Sequence, residues 1–582
     1  MTTSRWRHLG GPLRAERVAL SLSCGLSVLR IGVELARPWP LALAIDYALS
    51  DGVDRPSWLA AFSPTALLVG CGVGTVVLTA MSGLLDMAAV QSAEKAAERI
   101  GGHLRTELFD HCMQLSPRWH SRHRSGEVVS RLTSDVGRLL DAVVATAAKL
   151  VPNLLTVVGV LIILLAIHPW LAVLGLSVLP VLALAAVKQR KLVHSSQTAA
   201  RTASGRLSAT TADLIRNVST IQAFGRLDRA RTDFGRRSAD VTGAASGAVE
   251  IEARWAPRSD IVLAIGSGLV LIAGGLQVRS ETITAGLLLV VIAYLKELYS
   301  PIRSLTRLST VLAKARASIE RIADVLDADE MVPDDPHAPL VPVGPLGVAF
   351  SAVRFGYDPA QPVLNGFDLR VAAGETVCLL GRSGVGKSTL LLLILRLYDV
   401  DAGCIELGGR DLRTYRLQSL RRAISYVPQD PWLLDATLAQ NVAIGNRAAT
   451  RADVIEACAA AHVDEFSDRL PLGYDTNLGE GASRLSGGQR RRVALARAAV
   501  SDAKLLMLDE PTASLDDASA AEVISAIRGI AADRTTLIVT HDPRLAALAD
   551  RTVLVSASGT SPAAGRHPPV DVSSPYSLSG RR

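Results

Sequence analysis

The sequence predicts a membrane α-helical bundle, six transmembrane helices with long cytoplasmic extensions, followed by an α/β domain built around a buried strand, a glycine loop and a helix. Three observations carry this. Uncharged apolar stretches of about twenty residues, enough to cross about 30 Å of hydrocarbon, recur through the first 302 positions. A proline-rich acidic run follows at 327–345, and beyond it an apolar strand, a glycine loop and a helix-like stretch succeed one another at 376–397.

Composition agrees. The 582 residues exceed one domain, and 49% hydrophobic residues with a mean hydropathy of +0.28 call for a membrane portion. The net charge of +7 does not gather on one patch. Its basic residues alternate with the apolar spans, as cytoplasmic-side anchors do, and nucleic acid is excluded as a partner. Six cysteines without CxxC spacing fit a reduced setting and neither a metal site nor a disulfide framework.

Taking the elements in order, a basic N-terminus (Arg5, Arg7, Arg14, Arg17) leads into an apolar run that continues toward Ala48 without a clear small-residue cleavage site. It reads as a first span, N-terminus inside. Arg30, Glu34 and Arg37 fall within it, and Pro38 and Pro40 bend it. Glu34 and Arg37 are candidates for a substrate path, the alternative being mutual pairing at helical spacing or snorkelling. Ser63 to Leu85 is an uncharged second span. From Leu150 to Val187 run 38 uncharged residues broken at His168-Pro169, which makes two spans and a short outer turn. Ile261 to Val278 and Thr282 to about Ile302 give the fifth and sixth, with Lys296 and Glu297 near the inner end. Within the membrane portion the segments 86–149 and 188–260 hold most of the Lys and Arg, so both lie in the cytoplasm as helical extensions. The expected organisation is 1–325 membrane domain, 326–345 linker, 346–555 nucleotide domain and 556–582 a Ser/Pro/Gly-rich disordered tail.

The chemistry centres on Gly381-Arg382-Ser383-Gly384-Val385-Gly386-Lys387-Ser388-Thr389. Glycines let successive N–H groups turn toward a triphosphate, the helix start adds partial positive charge, Lys387 reaches the outer phosphates, and Ser388 offers its hydroxyl to Mg²⁺. Only eight lysines occur in the chain, and the nucleotide half has two of them, Lys387 and Lys504. The apolar strand Leu505 to Leu508 ends in Asp509, placed to hold Mg²⁺, and Glu510, placed to polarise an attacking water. Leu485-Ser486-Gly487-Gly488-Gln489 opens a basic amphipathic run. It reads as a second anion grip or as a helix N-cap.

Together these motifs resemble the ATP-binding cassette (ABC) transporters, in the exporter-type half-transporter form with a membrane domain fused ahead of its nucleotide-binding domain; the resemblance spans residues ~15 to 555. It implies ATP and Mg²⁺ as ligands. It also implies that Tyr357 stacks on adenine, that Gln429 senses Mg²⁺ and the attacking water, and that His541 contacts the γ-phosphate. Ser486, Gly487, Gly488 and Gln489 would grip ATP in trans, and Asp516 would read the partner's site. Ser125 to Leu132 and Thr211 to Thr220 resemble the two coupling helices. Asp542-Pro543 after His541 departs from the family's usual ending.

The function so implied is an ATP-hydrolysing pump, working as a homodimer or a heterodimer with a second half-transporter. It would sit as a multi-pass protein in the plasma (inner) membrane and export a small-molecule, lipid or peptide substrate by alternating access. The rivals are an importer of exporter shape and an ATP-gated regulator or channel, against which the presence of Glu510 and His541 argues.

Overall fold

The computed structural model describes residues 7–49, 56, 59, 62–358, 360–382, 384–556 and 559–562. The chain divides into two compact units, residues 1–112 with 126–327 and residues 113–125 with 328–582.

The first unit is helical throughout. Helix Pro64–Gln114 runs 51 residues, about 75 Å, so it must continue well beyond any bilayer it crosses. Among the described residues four stretches are long and apolar enough to span a membrane: Arg17–Leu49, Pro64–Gln114, Ser125–Ile167 and Asp260–Arg279. The expected fourth and sixth spans fall in helices Pro169–Leu176 with Val178–Arg216, and in Ala285–Leu326. The bundle core gathers Val160, Leu164, Leu171, Val270, Tyr294, Leu295 and Leu298, all buried.

Two buried carboxylates tie this unit together across long sequence separations. Asp46, 7% exposed, accepts from the Thr284 hydroxyl at 2.6 Å and from the Gly286 N–H at 2.7 Å. It therefore satisfies the open start of helix Ala285–Leu326, where Thr284 is itself the N-cap. Position 286 must be glycine for this approach: a Cβ there would lie 2.5 Å from the Ala42 carbonyl oxygen. Asp135, 2% exposed, takes Arg321 in two bonds of 2.8 and 2.6 Å and Ser318 in one of 2.9 Å. A planar fork meeting a carboxylate fixes both position and angle of the two helices.

The second unit holds two sheets. The smaller is antiparallel and contains β1 (Val348–Phe355), β2 (Leu364–Val371), β4 (Ala402–Leu407) and β5 (Arg410–Asp411) in the order β2-β1-β4-β5. The larger contains β3 (Thr376–Leu380), β6 (Ile424–Val427), β7 (Leu505–Asp509), β8 (Thr535–Val539), β9 (Arg551–Ser556) and β10 (Gly559–Pro562), ordered β10-β9-β3-β8-β7-β6. Strands β9, β3, β8, β7 and β6 are parallel, and β10 closes the edge antiparallel. Parallel strands need crossovers, which bury both faces, so β7 is apolar at every position before Asp509. Leu505 and Met507 pack into one core with Phe355, Leu390 and Leu537, while Leu506 and Leu508 pack into another with Val493, Ile527 and Ile538.

The expected linker is laid onto this unit. The Val341 N–H donates to Ser419 Oγ at 2.9 Å, the Leu417 N–H to Asp334 at 2.8 Å, and the Arg416 N–H to the Pro339 carbonyl at 3.1 Å. Of the expected tail, Gly559–Pro562 pairs with β9, and residues 563–582 lie outside the described residues.

Candidate nucleotide-binding and hydrolysis site

The site forms where β3 and β7 end on either side of β8. From the end of β3 the chain turns through Gly381 to Gly386 into helix Lys387–Ile394. Gly384 and Gly386 have φ of +80° and +100°, which side chains strongly disfavour, and a Cβ at Gly386 would sit 2.9 Å from Val363. Ser383 lies outside the described residues. Lys387, 5% exposed, turns its ammonium into the loop and donates to the Gly381 carbonyl at 2.7 Å and the Arg382 carbonyl at 3.0 Å. A compact ammonium on a long stem reaches the ring of backbone that a phosphate chain would enter.

Ser388 donates its hydroxyl to Asp509 Oδ1 at 2.9 Å, joining the loop helix to the end of β7. Burial pushes the Asp509 carboxyl above the usual range, the Ser388 bond opposes that, and the charge of Glu510 adds to it. Tyr426 reaches the other Asp509 oxygen at 3.5 Å, and its phenol is raised by burial and then by that carboxylate's charge. A hydroxyl and a carboxylate in contact are the oxygen donors a small hard dication takes, so Ser388 and Asp509 fit Mg²⁺.

Glu510 follows with φ +45°, a left-handed backbone that costs about 1–3 kcal/mol and persists where the surroundings impose it. Its N–H bonds the Val539 carbonyl of β8 at 2.8 Å, and its Oε2 lies 3.2 Å from His541 Nδ1. The sheet thus delivers a carboxylate and an imidazole to one point from sequence positions 31 apart. Tyr357 sits beside the loop helix, its hydroxyl 3.2 Å from Thr389 Oγ1, with edge-on contacts to Phe355 at 5.2 Å and Tyr398 at 5.4 Å. Tyr357 is 41% exposed, enough to take an adenine face. Tyr357→Ala should weaken ATP binding about tenfold, and Tyr357→Phe should leave it nearly unchanged, read by fluorescent-nucleotide titration.

Ser486 and Gln489 form a reciprocal capping box: Ser486 Oγ accepts from the Gln489 N–H at 3.2 Å, and Gln489 Oε1 from the Ser486 N–H at 2.9 Å. They open helix Gly487–Ala499, with Ser486 and Gly487 exposed and Gly488 buried. Asp516 caps helix Asp517–Ile530 through the Ser519 N–H at 3.1 Å, and its Ser519 bonds hold the carboxyl below its usual range. Gln429 is exposed after β6, its carbonyl accepting from Arg491 at 3.4 Å. In the helical unit Glu34 pairs with Arg30 at 2.8 Å, the helical-spacing alternative, and Arg30 also meets Asp86 at 3.5 Å. Arg37 is exposed at the end of helix Arg17–Ala36.

The sequence placed the first coupling helix at Ser125 to Leu132; the piece seated in the nucleotide unit is helix Pro117–Arg122, just before it. Arg118 donates to the Gly356 carbonyl at 2.9 Å with its guanidinium 6.0 Å from the Phe355 ring centre, next to Tyr357. The Ser116 N–H bonds the Glu330 carbonyl at 2.8 Å, Arg122 pairs with Glu330 at 3.3 Å, and Leu115 bridges Met331. The signal was present in Ser116-Pro117, a capping serine before a proline at the first helical position.

Family models match in both halves: the ABC transporter transmembrane region over residues 20–302, and ABC transporter over 364–513. A fatty acid ABC transporter ATP-binding/permease protein of Mycobacterium bovis is 34% identical over 468 residues, 80% of this chain and 73% of its own. An ATP-dependent lipid A-core flippase of Syntrophus aciditrophicus is 30% identical, over 93% of this chain and 88% of its own. Among solved structures, a bacterial Atm1-family ABC exporter with ATP bound superposes with a TM-score of 0.74 at 26% identity, over 95% of each chain.

Proposed function

The chain belongs to the ABC transporters as an exporter-type half-transporter, a membrane-spanning ATPase coupled to transport, and from that premise we propose that two copies hydrolyse ATP to move a hydrophobic or amphipathic cargo outward across the plasma membrane. The observation that carries the dimer is the exposed start of helix Gly487–Ala499 in a domain that already owns a phosphate loop. One domain with two anion grips serves two nucleotides shared between copies. The tip of the second cytoplasmic loop supports the same reading. Ile215, Val218 and Phe224 around helix Val218–Ala223 are 68%, 46% and 76% exposed, an apolar knob suited to a partner's surface.

In this mechanism Tyr357 stacks on adenine, the loop from Gly381 to Thr389 surrounds the phosphates, and Lys387 neutralises the outer two. Mg²⁺, held by Ser388, Asp509 and Gln429, would offset charge on the phosphates. Glu510 orients the attacking water and accepts its proton, while His541 holds Glu510 on one side and faces the γ-phosphate on the other. Ser486 to Gln489 of the second copy close the site, and Asp516 lies in the surface the copies share. Closure draws the domains together and turns the helical bundle outward; hydrolysis resets it. We take 1–325 as the membrane domain, 326–345 as its connection and 346–555 as the motor.

The test is complementation between two inactive variants, Lys387→Met and Ser486→Arg, made as differently tagged copies and co-purified in lipid. A shared site regenerates one intact pair of loops in the mixed dimer, so hydrolysis rises above either parent. No recovery in mixed dimers would sink the shared-site reading. Outward transport is checked by ATP-dependent accumulation of fluorescent fatty acid or drug probes in inside-out vesicles.

A further inference from the structure

Helix Gly487–Ala499 grips the chain after β6 with two arginines that are satisfied very differently. Arg497 donates to the Trp432 carbonyl at 2.7 Å, the Asn441 carbonyl at 2.6 Å and Asn441 Oδ1 at 2.7 Å, and all three of its nitrogens are used. Arg491, two turns nearer the exposed end, is 7% exposed and makes one long bond, 3.4 Å, to the Gln429 carbonyl. Its Nε–H is buried without a hydrogen-bond partner among the described residues. Asp430 and Glu510 both act on it electrostatically, but neither forms an ion pair with it among the described residues. A guanidinium removed from water normally recovers that loss through several charge-assisted bonds. Arg491 has the donors for them, and the exposed Asp430 adjoins the residue it already holds.

We propose that Arg491 is a positioning residue: pairing with Asp430, it fixes the Gln429 segment in the arrangement that presents the Gln429 side chain to the Mg²⁺ of the nucleotide. The start of the same helix carries Ser486, so the grip on one nucleotide and the sensing of the other share a rigid element. Burial lowers the proton affinity of Arg491, the charge of Asp430 opposes this, Arg490 adds to the lowering, and Glu510 opposes it again. The inference rests on the reading of Gln429 as a residue of the Mg²⁺ site.

The experiment uses the full chain in lipid nanodiscs on a Glu510→Gln background, so that binding is read without turnover. Affinity for a fluorescent ATP is measured with Mg²⁺ and with a chelator, alongside hydrogen exchange over residues 428–432. Arg491→Gln should reduce the Mg²⁺-dependent gain in affinity about tenfold, leave chelator-side affinity in place and speed exchange at Gln429 and Asp430. Arg491→Lys should recover most of the gain. Asp430→Asn should lose as much as Arg491→Gln, and the double variant no more than either. Equal losses with and without Mg²⁺, additive losses in the double variant, or no loss at all overturn the proposal. A Gln429→Ala variant that keeps the full Mg²⁺-dependent gain overturns instead the reading of Gln429 on which it stands.

Discussion

Glu510→Gln is expected to keep ATP bound and to slow phosphate release by about 10²–10⁴-fold, the span that a positioned general base contributes. The amide preserves the shape of a side chain held at φ +45° with its end 3.2 Å from His541, so the local geometry has little reason to change. What disappears is the ability to accept the proton of the attacking water. Phosphate release and nucleotide binding measured on the same lipid-reconstituted sample separate the two effects. Equal phosphate release from variant and wild type would remove Glu510 from this role.

Lys387→Met should have the second largest consequence, raising the Kd for ATP about a hundredfold or more, because a buried cation facing the phosphates is replaced by an apolar chain. Lys387→Arg should fail nearly as badly. The ammonium fits between the Gly381 and Arg382 carbonyls at 2.7 and 3.0 Å, a pocket that a planar five-donor fork overfills. Isothermal titration with ATP and Mg²⁺ reads both variants, and a Kd within a few-fold of wild type for either would show that the backbone cradle suffices.

The parts of this molecule that were legible in sequence are those whose function forces a local pattern. The phosphate loop could be read because its glycines, its lysine and the flanking strand and helix all lie within about twenty residues, and the positive φ at Gly384 and Gly386 is what those glycines are for. The same holds for Ser486 and Gln489, whose box is a three-residue relation. The family and the order of its two halves followed from such local signatures. The clamps that hold the helical unit were invisible. Asp46 meets Gly286 across 240 positions and Asp135 meets Arg321 across 186, and no periodicity marks an aspartate for a partner so distant. Arg491 went unsingled for a related reason: in a run of three arginines, burial of one is decided by what packs over the helix, which sequence alone does not list. Glu34 shows both kinds of contact, since its carboxylate meets Arg30 at helical spacing and also hydrogen-bonds Glu297, which lies 263 positions away and which no local pattern marks as its partner.

The seating of residues 113–125 has a practical consequence for anyone dissecting this machine. Ser116, Trp119 and Arg122 enter the nucleotide unit from a place more than two hundred positions upstream, with Trp119 only 3% exposed and stacked on His123 at 4.2 Å. A soluble fragment begun at the end of the linker therefore amputates part of its own surface, uncovering the Phe355 ring and the Gly356 carbonyl immediately beside Tyr357. Affinities taken from such a fragment describe a wounded domain, and supplying the missing thirteen residues as a peptide is the repair the architecture itself suggests.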